Sequence, residues 1–255
     1  MNSATVRNLL VRGMLAGLAA GVLALIVAYF LGEPNVDSAI GFEESHAAAH
    51  EHGHEVELVS RSLQSTAGLA TGVLIYGVAF GGITALAYCF ALGRVGNFGA
   101  RATALLLSGA ALLAVYVVPF LKYPANPPAV GDPDTIGKRT TLYLLMMVLA
   151  VLLAVAAVIV GKRLAPKLGT WYATVVAVLG FVVLIGLAYA FLPTVNEVPG
   201  DFPAALLWRF RLSALALQIT LWSGFGLVFG ELAERLLHPK PATASAASAA
   251  APAPH

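Results

Sequence analysis

Six stretches of this chain contain no Asp, Glu, Lys or Arg: residues 14–32, 62–93, 102–121, 140–161, 168–196 and 212–230. A helix needs ~20 apolar residues to cross the ~30 Å hydrocarbon core of a bilayer, and each stretch is near or above that length. Lipid cannot hydrogen-bond the backbone, so only helices and closed barrels cross it. Barrel strands alternate apolar and polar side chains, and these stretches do not. Composition points the same way, with 59% hydrophobic and 11% charged residues against roughly a quarter charged in soluble domains. The sequence predicts an all-α integral membrane protein. Residues 1–238 form a six-transmembrane-helix bundle, with spans near 9–31, 66–92, 102–121, 140–160, 170–192 and 212–236.

The first stretch follows Arg7 and Arg12 but is longer than a signal-peptide core, and "YFLGEPN" offers no small-x-small cleavage site, so it reads as a retained helix. Cys89 is the single cysteine, which leaves no intrachain disulfide to expect.

Six spans place the connections alternately at two ends. One end collects Arg7, Arg12, Arg94, Arg101, Lys162, Arg163, Lys167, Arg235 and Lys240, nine bases, against Glu231 and Glu234. The other collects eleven acids and six bases. Lys and Arg accumulate on the cytoplasmic side of membrane proteins, so both termini are expected in the cytoplasm. The connection at 34–61 and those around 121–139 and 193–211 are then external. Residues 239–255, rich in Pro, Ala and Ser, read as a disordered cytoplasmic tail.

The external segment at 34–61 carries "HAAAHEHGHE", four of the chain's six histidines in ten positions. As a helix, it puts His46, His50 and His54 on one stripe, with Glu43 and Glu57 extending it at either end. As an extended strand, it puts His50, His52 and His54 on one face. Gly53 weakens the helix near its end, so both geometries stay open. Either presents three imidazoles, which suit Co²⁺, Ni²⁺, Cu²⁺ or Zn²⁺, and contact with a metal is favoured over a solvated low-complexity loop.

The second external loop, "KYPANPPAVGDPDTIGKR", is stiffened by four prolines. Asp132 and Asp134 either accept a cation or pair with Lys138 and Arg139. Glu197 and Asp201 in the third loop face the same choice with Arg209 and Arg211, while Trp208 suits the interfacial aromatic belt. Each helix returning from this end starts near an arginine: Arg61, Arg139 and Arg211. Arg209 and Arg211 are expected to find acids among Glu197, Asp201, Asp132 and Asp134, and so to hold the proline-rich loops over the bundle.

Within the spans the ligand candidates are Met14, Tyr76, Thr84, Tyr88, Cys89, Met146, Met147 and Gln218, each more readily explained by helix packing. No charged or His residue lies mid-span, where such residues mark ion paths. The glycines of "GLAAG" (17–21), "GVAFGG" (77–82) and "GLVFG" (226–230) read as faces for close helix contact. No nucleotide-binding loop, metallopeptidase HExxH or nucleophile–base pair is present, so no enzyme is expected, and no tightly bound cofactor.

The "EPN" after the first span, the external histidines, "KYPANPPAVGDPDTIGKRT" and "FPAALLWRFRLSALALQITLW" together resemble the CbtA family of proposed cobalt transporter subunits, linked to bacterial cobalamin synthesis. The resemblance covers most of residues 5–237 and leaves the tail outside it. It implies Co²⁺ as substrate, a bacterial inner-membrane location, and a small single-span, histidine-bearing partner, CbtB. Members are described with five spans, whereas the charge alternation here favours six. The alternatives are a nickel or zinc transporter subunit, or a membrane protein that senses metal or acts as a scaffold without transporting.

Overall fold

The computed structural model describes residues 2–49 and 60–238, with the backbone alone over 46–49. Every regular element among them is helical. The chain runs α1 (Ser3–Val27), α2 (Glu33–Ala49), α3 (Arg61–Leu63), α4 (Leu69–Ala91), α5 (Ala100–Ala111), α6 (Val118–Lys122), α7 (Ile136–Phe191) and α8 (Ala204–Leu237). Wide π turns at Ala28–Gly32, Gln64–Gly68 and Leu112–Val117 join α1 to α2, α3 to α4 and α5 to α6. Five helices are long and apolar enough to cross a membrane: Ser3–Ser45, Arg61–Ala91, Ala100–Lys122, Pro133–Phe191 and Ala204–Leu237.

The longest of these doubles back. Gly169 has φ 77 and ψ 158, a backbone that L side chains avoid. A Cβ on Gly161 would lie 3.4 Å from the Cβ of Ala177. Sixteen residues of unbroken helix would separate those positions by about 24 Å. The two arms of α7 therefore lie side by side, and Lys162 near the bend donates to the carbonyl of Arg94 at 2.6 Å.

Close helix contact holds the other members together. α1 and α4 meet through Gly13, Gly17 and Gly21 on one side and Gly77 and Gly81 on the other. A Cβ on Gly17 would stand 2.1 Å from the Gly77 carbonyl oxygen, and one on Gly81 would stand 2.2 Å from that of Gly13. Without a hydrophobic drive between helices in lipid, this backbone proximity supplies the packing attraction. α5 and α8 meet the same way at Gly226, whose Cβ would touch Ser108 Oγ at 2.9 Å. Aromatic rings fill the centre: Phe80 meets Trp222 edge-on at 4.3 Å, and Tyr88 meets Phe229 at 5.0 Å. A second cluster, with Ala114, Val118, Met146, Ala150 and Ile185, fastens α7 to α6.

The segment from residue 34, expected outside the membrane, begins as helix, which continues through Ala49. Pro34 would ordinarily stop it, because the ring meets the carbonyl four residues back. Here the π turn intervenes, with the Glu33 amide bonding to the Ala28 carbonyl five residues back. The Asn35 side chain then donates to the Leu31 carbonyl at 2.7 Å. Pro119 repeats the arrangement after the π turn at Leu112–Val117, where the Val118 amide bonds to Leu113.

Candidate functional site

Three segments cover the acid-rich end of the bundle, and they pack on one another. Ala39 and Phe42 of α2, Ala129 and Val130 of the proline-rich loop, and Val198 and Phe202 of the following loop form a separate small core with Leu206 and Leu207 of α8. The rings of Phe42 and Phe202 meet edge-on at 5.0 Å. The proline-rich loop turns through Ala129 at φ 66 and Gly131 at φ 119.

Polar contacts tie the same segments. Asp132 caps the short helical turn Pro133–Thr135, its carboxylate accepting the Asp134 amide at 2.9 Å. Glu197 reaches across from the neighbouring loop. It accepts the Thr135 hydroxyl at 2.7 Å and the Asp132 amide at 2.9 Å, and pairs with Arg139 Nε at 3.4 Å. The arginine also donates Nη2 to the Asp132 carbonyl at 3.2 Å. The Thr135 hydroxyl, then the Asp132 amide and the Arg139 charge, hold the Glu197 carboxyl below the usual carboxylate range. At the head of the second long helix, Arg61 bonds Glu33 and also Asp37, the latter at 2.8 Å, clamping α2 against α3.

Arg211 also crosses between segments, but its partners correct the expectation of an acid. Nε donates to the Ala125 carbonyl at 3.3 Å and Nη2 to Asn126 Oδ1 at 3.1 Å. The proline-rich loop offers carbonyls that no helix uses, and these satisfy the guanidinium. Arg209, Trp208, Lys138, Asp134 and Asp201 are exposed.

Glu43 is exposed on α2, and the backbone is helical at His46. His50, His52, His54 and Glu57 lie outside the described residues. Among the described residues, no three His, Cys, Asp or Glu side chains converge closely enough to hold a metal ion. The in-span candidates divide. Thr84 donates to the Phe80 carbonyl at 2.8 Å, Tyr88 to the Ala100 carbonyl at 3.2 Å, and Met146 is fully buried in the second cluster. Tyr76 is half exposed.

The sequence reading did not pick out Thr135 or Asn126. The hydroxyl of Thr135 follows an Asp-Pro-Asp turn, a signal for local capping that was there to find. Asn126 had no comparable signal.

A family model described as a probable cobalt transporter subunit (CbtA) matches residues 6–234, from the first turns of α1 almost to the end of α8. The chain belongs to the CbtA family. No curated protein and no solved structure matches it. The CbtA family is described as a probable cobalt transporter subunit, and the whole interlocked end formed by Arg61, Arg139, Glu197 and Arg211 falls inside the matched region. The basic end of this CbtA bundle has its own network: Glu231 pairs with Arg101 and Arg235, each at 2.8 Å, and Arg12 donates to the Leu232 carbonyl.

Proposed function

We propose that the chain is the multi-pass subunit of a cobalt importer in a bacterial inner membrane, with six spans and both termini cytoplasmic. The family match over nearly the whole bundle carries the reading. The reversal of α7 at Gly169 supports the sixth span, since it divides a 59-residue helix into two arms of crossing length. The charge asymmetry supports the orientation.

In this reading the external histidines His46, His50, His52 and His54, with Glu43 and Glu57, take hydrated Co²⁺ by ligand exchange. The helical run from Gly32 to His46 would hold the first of them about 21 Å from the bilayer boundary. Capture would then be separate from translocation. Asp132, Asp134, Glu197 and Asp201 make the external face acidic and raise the local cation concentration. Arg139 and Arg211 keep the proline-rich cover in place, while Lys138 and Arg209 stay at its solvent-facing rim. A small single-span, histidine-bearing membrane protein completes the transporter. Cobalt accumulation by cells that make the chain, compared with cells that lack it, tests the reading. Greater accumulation supports it, and equal accumulation with the protein in the membrane contradicts it.

A further inference from the structure

The hairpin formed by the two arms of α7 joins the packed clusters only toward the acid-rich end, where Met146, Ala150 and Ile185 meet α6. Toward the bend at Gly169, no residue between Ala154 and Phe181 belongs to either of the two clusters inside the bundle. Gly161 faces Ala173 and Ala177, so in this half the two arms pack on each other. Among the described residues, one hydrogen bond ties this half to the turn after α4, from Lys162 to the Arg94 carbonyl at 2.6 Å. The basic end of the gap between α4 and the first arm is therefore bridged by a cation and not packed.

Arg94 does not extend toward water. Its guanidinium folds back along α4, with Nη1 donating to the Phe90 carbonyl at 2.9 Å and Cζ lying 4.9 Å from the Phe90 ring centroid. Phe90 is largely exposed, so the charge rests on the outer surface of the last turn of α4. Trp171 and Tyr172, also largely exposed just past the bend, mark this level as the bilayer boundary, where such rings collect. Arg163 and Lys167 lie on the side of the first arm away from the second, since successive helical residues are about 100° apart. Among the described residues, none of these four cations pairs with a carboxylate. Glu231 and Glu234, the acids of this end, are engaged by Arg101, Arg235 and His238.

A guanidinium at the edge of the hydrocarbon needs acceptors, and acyl chains have none. The remaining N–H groups of Arg94 have no acceptor among the described residues. A phosphodiester supplies two oxygens to such a planar fork, and its charge also suits the neighbouring lysine ammonium. We propose that Arg94 and Lys162 hold the phosphate of an anionic phospholipid whose acyl chains fill the gap between α4 and the first arm of α7. Arg163 and Lys167 strengthen the local field that draws the headgroup in, as clustered bases do beside an anionic leaflet. A zwitterionic lipid brings its own cation and gains less from the four bases. A free phosphate has no chains to occupy the gap. The bound lipid thus fastens the hairpin where the chain itself supplies a single hydrogen bond. The site requires that the helices span a membrane, and it depends neither on the cargo nor on which leaflet the basic end faces.

The test titrates the detergent-purified full chain with phosphatidylglycerol or with phosphatidylcholine of the same acyl chains, and counts bound lipid by native mass spectrometry. Phosphatidylglycerol should bind at least about tenfold more tightly, and inorganic phosphate should not displace it. Equal binding of the two lipids, or displacement by phosphate, overturns the proposal. Arg94→Gln/Lys162→Gln removes both charges while leaving position 162 an amide that can still donate to the carbonyl at position 94. It should weaken phosphatidylglycerol binding at least about tenfold. Lys138→Gln/Arg209→Gln removes as much charge from the opposite end and should leave binding unchanged. Equal loss in the two variants would mean general attraction of charge and no site. A second measurement needs no variant. Phosphatidylglycerol carrying a diazirine near the glycerol end of one acyl chain is crosslinked to the wild-type chain, beside the matching phosphatidylcholine probe. The anionic probe should be enriched in peptides from 83–98 and 155–172. Equal labelling by both probes there, or enrichment only elsewhere, overturns the site.

Discussion

Arg139, at the head of the returning helix, meets Glu197 of the neighbouring loop at 3.4 Å, and that carboxylate also accepts the Thr135 hydroxyl and the Asp132 amide. The approach is an ion pair without hydrogen-bond geometry at Nε, so the two true hydrogen bonds define the carboxylate's position. One side chain thus fastens two loops that are more than sixty residues apart in sequence.

Acid should loosen this fastening. The folded-state Glu197 carboxyl lies below its ordinary range, so its contribution is fully present above the unfolded value, about 4.3. It fades as pH falls through the lowered folded value. Thermal unfolding of the detergent-purified chain between pH 7 and pH 3 checks this. Wild type should lose stability in acid more steeply than Glu197→Gln, whose carboxamide does not titrate. Parallel curves would show that the carboxylate contributes nothing to the cover.

Arg211→Ala should destabilise by roughly 1.5–3 kcal/mol, because it strands the Ala125 carbonyl and the Asn126 side chain. Arg211→Lys should recover only part, since a lysine cannot reach both acceptors with a planar fork. Combining Arg211→Ala with Asn126→Ala should cost less than the sum of the two single changes. Strict additivity in a double-mutant cycle would mean that the two do not interact.

The glycine seam makes a sharper demand. Gly17→Ala sets a methyl carbon against the Gly77 carbonyl, and backbone cannot yield as a side chain would. Overpacking of this kind costs roughly 1–3 kcal/mol. Gly180→Ala, where nothing lies within 4 Å, is the matched control and should be neutral. The fraction of each variant that stays monodisperse after heating in detergent distinguishes them.

Orientation is open to direct labelling. Ser45→Cys and Gly96→Cys, each in a Cys89→Ser background, should react differently with an impermeant thiol reagent added to intact cells. The charge asymmetry requires labelling at position 45 and none at position 96. The reverse pattern, or equal labelling, would invert or dissolve the assignment.

Most of the helical framework is legible because burial in lipid leaves a simple mark, a long run without charge. The reversal near Gly169 is legible as well, since "GKRLAPKLG" interrupts two apolar runs with three bases. The course of α2 is not, because Pro34 reads as a stop and only the preceding π turn removes its clash. A turn of that kind is set by tertiary packing and leaves no local pattern. The partners of Arg211 are hidden for a different reason. Charge invites pairing with charge, while the acceptors it uses are a backbone carbonyl and an amide whose exposure depends on how the proline-rich loop folds.

The central claim, that cobalt enters through this chain after capture outside, is tested most directly by the initial rate of cobalt uptake across a range of cobalt concentrations. Three sets of cells are compared: one making the wild-type chain, one making the His46→Ala/His50→Ala/His52→Ala/His54→Ala variant, and one making neither. A saturable component should appear only with the chain. In the variant it should keep its ceiling while half-saturation moves to higher cobalt. Identical curves for cells with and without the chain, with the protein present in the membrane, would contradict the account.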